Sequence, residues 1–333
     1  MGKAMSAQSP ASAASSDALR LKRARQVARQ ALRHYDLPRV RLKLIAQQHN
    51  FVYRVHHDGQ PRYVLRLQNA LLSDEQARLQ LQWMSHLRAT AALPIPEPIP
   101  TIDGNPFYRV QHPDLGGIRR AVLLTWLNGD YARPVTPHHM ESLGNLLAQL
   151  HQHSQSFAVS PDTSCHRLDA DFLFGKTFCA SSPSAALSAN QRRTLKHART
   201  RIEALMNALA QHPNHFGLIH GDTNANNVIY HDGDARLIDF DEFGLGYYLY
   251  DLAEALRLFT RHENFPLLRD ALIASYTTAR PSFAISASAL DAMLAATFIS
   301  YLNFGFGLAD QTNFRRWIDF AVQQIARFST SCD

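Results

Sequence analysis

Lysine is scarce in this chain: five of the 34 basic side chains are lysines, and the arginines are spread along the sequence. A strong nucleic-acid binder concentrates positive charge into a stripe. A net charge of +6 over 333 residues supplies no such field, so no nucleic-acid partner is expected. The densest basic run, Ala18 to Asp36, interleaves its charges with Leu19, Leu21, Val27 and Leu32, the pattern of an amphipathic helix lying on a domain. Cysteine is scarce too. Cys165, Cys179 and Cys332 show no metal spacing and leave one thiol over, which suits a reducing cytosol better than a disulfide scaffold and gives a cytoplasmic expectation. No apolar run reaches the length of a membrane span. The closest, around Ala292 to Leu302, is broken by Thr297 and Ser300 and reads as a buried helix, so no membrane partner is expected. The first sixteen residues are rich in Ser and Ala without the apolar block of a secretory signal and read as a disordered tail, an organelle transit peptide being the alternative. His138, His139, His151 and His153 lack a spacing that aligns two ligands on one helix face, which favours surface or core histidines over zinc.

What is present is enough for two packed lobes: 46% apolar residues and only 19% charged ones over 333 positions. Strand character appears at Arg41 to Ala46, Phe51 to His56 and Arg62 to Leu67. The Asp58-Gly59 step makes the last two a hairpin. Ser73 is placed to cap a helix running to Ala89. The proline-rich stretch Pro94 to Pro100 reads as an extended connection. Phe107 to His112 and Ala121 to Leu127 complete five strands. From Thr136, a cap followed by Pro137, the chain turns mainly helical, with Met140, Leu143, Leu147 and Leu150 on one apolar face. The expected organisation is a tail over 1–16, a strand-rich N-lobe over 17–126, a hinge near Trp126, and a helical C-lobe over 127–333.

The densest polar cluster is His220-Gly221-Asp222-Thr223-Asn224-Ala225-Asn226-Asn227, between the apolar pieces Phe216 to Ile219 and Val228 to Tyr230. A second acid, Asp239, follows in Leu237-Ile238-Asp239-Phe240-Asp241. Phosphoryl transfer needs a carboxylate near the attacking hydroxyl and hard oxygen ligands for magnesium on the triphosphate. An Asp with an Asn five residues later can meet both needs, Asp222 facing the nucleophile while Asn227 and Asp239 take the metal. HGDTNANNVIY followed by LIDFDEFGLGYYLYDLAEAL resembles the aminoglycoside phosphotransferase and choline kinase family, a branch of the protein-kinase-like fold. Asn50 to Val55 and Arg62 to Leu67 resemble that family's second and third strands, and Leu143 to His151 its first C-lobe helix. The resemblance implies an α+β, bilobal fold with a small five-stranded antiparallel-sheet N-lobe, and an ATP- and Mg2+-dependent phosphotransferase acting on a small-molecule hydroxyl substrate. In it Asp222 is catalytic and His220 supports the loop. Asp251, by contrast, reads as the cap of a helix beginning at Leu252. Asp241 is open between a metal contact and a surface acid.

Nucleotide contacts fall on the first lobe. Val64 and Arg66 share a strand face, with Arg66 where a lysine usually holds the phosphates. Gln80 stands where the family carries a glutamate, with Glu75 as the other possible partner for Arg66. Thr125 and Leu127 flank the hinge that would hold adenine, and Asn50 lies at the phosphate-covering turn, without its usual glycines. The departures at Arg66 and Gln80 keep open a weakly catalytic nucleotide-binding protein, and a protein Ser/Thr kinase of the same family is a further alternative. For the acceptor, the acids from Ala289 onward (Asp291, Asp310, Asp319, Asp333) are few, which favours a neutral or zwitterionic metabolite over a cationic one. Tyr301, Phe304 and Phe306 read as core rather than substrate pocket. Oligomeric state is not readable.

Overall fold

The computed structural model describes residues 10–37, 39–47, 50–69, 72–115, 117–160, 165–174, 187–306 and 314–330. Cys179, Cys332 and Asp310 lie outside them. The chain divides into two compact units. One holds the described residues up to Ser85 together with Pro96–Leu127; the other holds His86–Ile95 and the described residues from Asn128 onward.

The first unit opens with helix α1 (Pro10–Leu32), which reaches back into the stretch expected to be tail. Ala11, Ala13 and Ala14 carry the strongest helix propensity of any residue, which explains the extension. Strands β1 (Arg41–Ala46), β2 (Phe51–His57) and β3 (Gln60–Gln68) follow. The β2–β3 turn places Asp58 and Gly59 at φ 50° and 77°, the left-handed pair that matches the twist of a hairpin. Helix α2 (Asp74–Ala91) is capped as the sequence suggested. The Gln76 N–H donates to Ser73 Oγ at 3.1 Å, and the Ser73 N–H donates to Gln76 Oε1 at 2.9 Å. Strands β4 (Pro98–Ile99), β5 (Tyr108–His112) and β6 (Gly117–Thr125) complete an antiparallel sheet of order β1-β2-β3-β6-β4, with β5 also paired to β6. The sheet thus has six strands where the sequence suggested five. The sixth, β4, is two residues long and lies in the proline-rich connection, at a sheet edge where proline is tolerated.

Alternation along β3 sorts its residues as expected. Leu65 and Leu67 join Tyr53, Val55 and Leu123 in a core covered by Ala24, Val27, Ala28 and Ala31 of α1. Val64, Arg66 and Gln68 take the opposite face, where Gln68 Nε2 donates to Gln80 Oε1 of α2 at 3.5 Å. Arg120 of β6, opposite Gln68, meets Asp74 of α2 at 2.7 Å.

The second unit is mainly helical: α3 (Pro137–Ser154), α4 (Ala170–Phe174), α5 (Ala189–Ala210), α6 (Tyr248–Arg257), α7 (Phe265–Ala279), α8 (Ala287–Phe306) and α9 (Phe314–Ser329). Thr136 caps α3, its Oγ1 accepting from the His139 N–H. Short strands β7 (Arg167–Leu168), β8 (Phe216–Ile219) and β11 (Gly244–Tyr247) form one sheet, and β9 (Val228–His231) and β10 (Asp234–Leu237) form a hairpin. Helix α8 is apolar and long enough to cross a membrane by composition. Leu290, Met293, Leu294, Ile299 and Leu302 are buried within the unit, so α8 is a core helix here.

Candidate active site

The loop between β8 and β9 is built on two anchors. Strand β8 pairs with β11, not with β9. Strand β9 pairs with β10 so that Val228 faces Leu237. The Ile238 N–H then donates to the Asn227 carbonyl at 3.0 Å, which sets Asp239 beside Asn227 in the chain's path. The hairpin turn at Asp232 and Gly233, φ 54° and 90°, is therefore what joins two residues twelve positions apart. Asp239 itself adopts φ 65°, ψ 71°, a left-handed conformation that costs a non-glycine residue about 1–3 kcal/mol and concentrates at functional sites.

Within the loop, Asp222 and Asn227 are in contact. Asn227 Nδ2 donates to Asp222 Oδ2 at 2.5 Å and to the Asp222 carbonyl at 2.9 Å. Asn224 Nδ2 donates to Asp222 Oδ1, so both carboxylate oxygens are held. The Asp222 carboxyl is nonetheless pushed up to about 7, first by burial and then by Glu254 and Asp239, with Arg257 opposing. His220 is fully buried. Its Nε2 pairs with the Ile238 carbonyl at 3.1 Å, and its Nδ1 accepts the Asp222 N–H at 3.3 Å. Burial lowers its pKa, so the neutral ring donates from Nε2 and accepts at Nδ1.

Asp251 corrects the sequence reading. Helix α6 begins at Tyr248, so Asp251 stands in its first turn, fully buried, and is not the residue before it. Its Oδ2 accepts the His220 N–H at 2.9 Å and its Oδ1 the Gly221 N–H at 2.8 Å, while its carbonyl accepts from Thr223 Oγ1 at 2.5 Å. His151 Nε2 reaches the same Oδ2 at 3.0 Å, and His151 Nδ1 meets the Tyr276 hydroxyl at 2.9 Å. Burial lowers the His151 pKa against the pull of Asp251. The neutral ring therefore donates to Asp251 and accepts from Tyr276, whose oxygen accepts from Arg280 at 2.8 Å. A Cβ at Gly221, φ 81°, would collide with the Glu242 carbonyl, so this position requires glycine on two counts.

Asp222 opens onto a cavity of about 860 Å³. Asp169, Asp171, Asp222, Glu242 and Glu254 supply carboxylates to its wall, against the guanidinium groups of Arg167 and Arg257. Arg167 meets Asp169 at 3.0 Å and Arg257 meets Glu254 at 2.7 Å. Helix α8 contributes Thr297, Ser300, Tyr301, Asn303 and Phe304. Tyr301 and Phe304 are thus lining residues rather than core, and the Phe306 side chain lies outside the described residues. The acids also come from segments other than the C-terminal one in which they were sought.

Among the described residues no cluster of three His, Cys, Asp or Glu forms a self-contained metal cage. Magnesium does not need one, because it binds through one or two protein oxygens plus phosphates and water. Asn227 fits that use: its Nδ2 is committed to Asp222, which leaves its Oδ1 as the acceptor end, next to a backbone that brings Asp239 near. In the first unit, Arg66 and Gln80 are buried while Glu75 is exposed. Asn50 Oδ1 accepts the Asn69 N–H at 3.0 Å, which ties the start of β2 to the end of β3. Thr125 Oγ1 accepts the Glu97 N–H at 2.9 Å, and Val64 and Leu127 are half-buried.

The sequence profile of the phosphotransferase enzyme family matches residues 41–285. The chain belongs to this family. Solved structures share its fold: that of a microcompartment-associated aminopropanol kinase superposes with a TM-score of 0.75 over 91% of this chain and 96% of that one, at 22% identity. Amicoumacin kinase hAmiN, solved with AMP-PNP, Ca2+ and Ami, gives 0.68 over 88% and 90%, at 15% identity. Among curated relatives, the homoserine kinase of Bartonella tribocorum is 28% identical over 229 residues, which are 67% of this chain and 66% of that protein, slightly under two-thirds of its length. The antiparallel sheet and the helical second unit are those of this shared fold.

Proposed function

We propose that this family member transfers the γ-phosphate of ATP to a hydroxyl of a small molecule that carries a cationic amine. The observation that carries the reading is Asp222: a carboxylate with both oxygens held by amides, at the wall of a cavity where five carboxylates face two guanidinium groups. Such a wall attracts an ammonium group and repels an anion, which replaces the neutral or zwitterionic acceptor favoured by sequence. The relatives named for aminopropanol, amicoumacin and homoserine support a small hydroxyl acceptor.

In this reading Asp222 receives the acceptor's proton as its oxygen bonds to the γ-phosphorus, and the bond to the bridging oxygen breaks to release ADP. His220, neutral and buried, holds the Asp222 N–H in place. Arg66, with Val64 on the same strand face, binds the nucleotide's phosphates, and the backbone at Thr125 and Leu127 receives the base. Asn50 and Gln80 brace that sheet. Asn227 and Asp239 hold a divalent cation, Mg2+ in this reading, which neutralises charge on the triphosphate when bound. Calorimetric titration with ATP tests the site: binding that needs magnesium is expected for the wild type and is lost in Asp239→Ala. Turnover with aminopropanol is expected to exceed turnover with the corresponding propanol, which lacks the amine. Equal turnover with the two would remove the ammonium from the reading.

A further inference from the structure

Lys43, Arg54 and Arg66 share one face of the first unit's sheet. Phe51, Tyr53 and Val55 of β2 and Leu42 of β1 point into the core beneath α1, so alternation turns Lys43, Val52 and Arg54 to the other side, with Val64 and Arg66. Register sets Lys43 directly opposite Arg54, Arg54 opposite Val64, and Val64 opposite Leu124 of β6. Like charges directly opposite on one face cost a sheet stability. Arg54 is half-buried, and its Nε is buried without a hydrogen-bond partner. Its Cζ lies 4.1 Å from the centroid of the Trp126 ring. The Trp126 N–H donates to the Arg62 carbonyl at 2.8 Å, which extends the β3–β6 ladder and puts residue 126 on the same face as Leu124. Because β3 lies between β2 and β6, the Arg54 side chain spans β3 at Val64 to reach the indole.

We infer that Arg54 is a base-binding residue, its guanidinium laid on the Trp126 indole as the shelf on which the purine of the nucleotide stacks. The inference rests on the phosphotransfer reading, which puts the phosphates at Arg66 and the base at Thr125 and Leu127. Trp126 stands between those two residues, so the shelf is at the base end of the face. Arg66, opposite Val52, is at the phosphate end. A guanidinium is planar and weakly hydrated and stacks on aromatic rings. With one face on the indole, its other face can take a base, and stacking of this kind reads the π-face of the ring. An apolar side chain at position 54 would supply burial alone. The π electrons of the base also offset the repulsion between Lys43 and Arg54 that the sheet alone carries.

The test uses the full-length protein and separates the base from the phosphates. Binding of ATP with magnesium is measured by calorimetry, and binding of adenosine, which has no phosphate, by its competition with ATP. The proteins are the wild type, Arg54→Met, Arg66→Met, Trp126→Leu and the double variant Arg54→Met with Trp126→Leu, their folds checked by circular dichroism and thermal melting. Arg54→Met is expected to weaken ATP and adenosine by the same factor, about 5- to 30-fold, the range of a partly desolvated cation–π contact. Arg66→Met is expected to weaken ATP and leave adenosine unchanged. The double variant is expected to lose less adenosine affinity than the product of the two single losses, because the two side chains act as one surface. A loss in Arg54→Met confined to ATP would make Arg54 a phosphate ligand, and tighter binding would make it a plug. Multiplicative losses would part it from Trp126, and adenosine that fails to compete for the wild type would leave the base without a grip. Each of these overturns the inference and leaves the phosphotransfer reading intact. A wild type that binds neither ATP nor adenosine overturns both.

Discussion

Replacing Asp222 by Asn is expected to produce an enzyme that is more stable and nearly inactive, with the gain in stability depending on pH. The Asp222 carboxyl titrates near 3.8 in the unfolded chain and is raised to about 7 in the fold, chiefly by burial. The folded state therefore disfavours the ionised form. Stability is lost as pH rises from about 4 to about 7, where only the unfolded chain ionises, and the loss is constant above 7. A shift of that size corresponds to at most about 4 kcal/mol. Asn offers one acceptor oxygen where the carboxylate offers two, so one of the amides of Asn224 and Asn227 loses its partner, at about 1–2 kcal/mol. The net expectation is that Asp222→Asn stabilises the protein by about 2 kcal/mol above pH 7 and by nothing, or less than nothing, near pH 4.5. Calorimetric melting of both proteins in EDTA without nucleotide, at pH 4.5, 6 and 7.5, reads the difference directly, since the other titrating groups cancel between them. Turnover at pH 7.5 is expected to fall about 100- to 10,000-fold. A pH-independent stability difference would refute the burial argument, and normal turnover would remove Asp222 from the catalytic role.

Asp251→Ala leaves the His220 and Gly221 N–H groups and His151 without their acceptor; a loss of about 3–5 kcal/mol is expected in urea unfolding. Gly221→Ala forces a Cβ against the Glu242 carbonyl at φ 81° and is expected to cost more than about 1 kcal/mol and to depress kcat, as read by melting and steady-state kinetics. Arg66→Met keeps the length of the stem in a buried position and is expected to raise the KM for ATP at least tenfold with the fold intact, a loss of at least about 1.4 kcal/mol in nucleotide binding.

The sequence made the candidate loop legible because its pattern is local: His220 to Asn227 carries its own spacing, and Asp239 follows within one hairpin. The hairpins were legible to different degrees. Asp58-Gly59 stood between two clear strands, whereas Asp232-Gly233 stood between pieces of only four residues each. The cavity was not legible. Its wall is assembled from β7, α4, the turn after Asp239, α6 and α8, and no periodicity links Asp171 to Glu242 or Tyr301. The polar side of α8 was hidden inside a helix that is apolar overall, so Tyr301 and Phe304 were read as core. Asp251 was misplaced because an acid directly before Leu252 suits a helix cap, yet Tyr248, Leu249 and Tyr250 already form the first turn of α6. Its partner His151 lies 100 residues away, and only tertiary structure brings the two together.

The Asp251 carboxylate grips main-chain hydrogens of the loop, and its carbonyl takes the Thr223 hydroxyl, so neither places a demand on the side chains at 225 or 226. At those two positions loop geometry and loop sequence are thereby uncoupled. Residues 225 and 226 can be exchanged by evolution, or by an engineer, without renegotiating where Asp222 stands, provided that residue 221 remains glycine, the helix beneath keeps its acid, and His220, Thr223, Asn224 and Asn227 keep their hydrogen bonds.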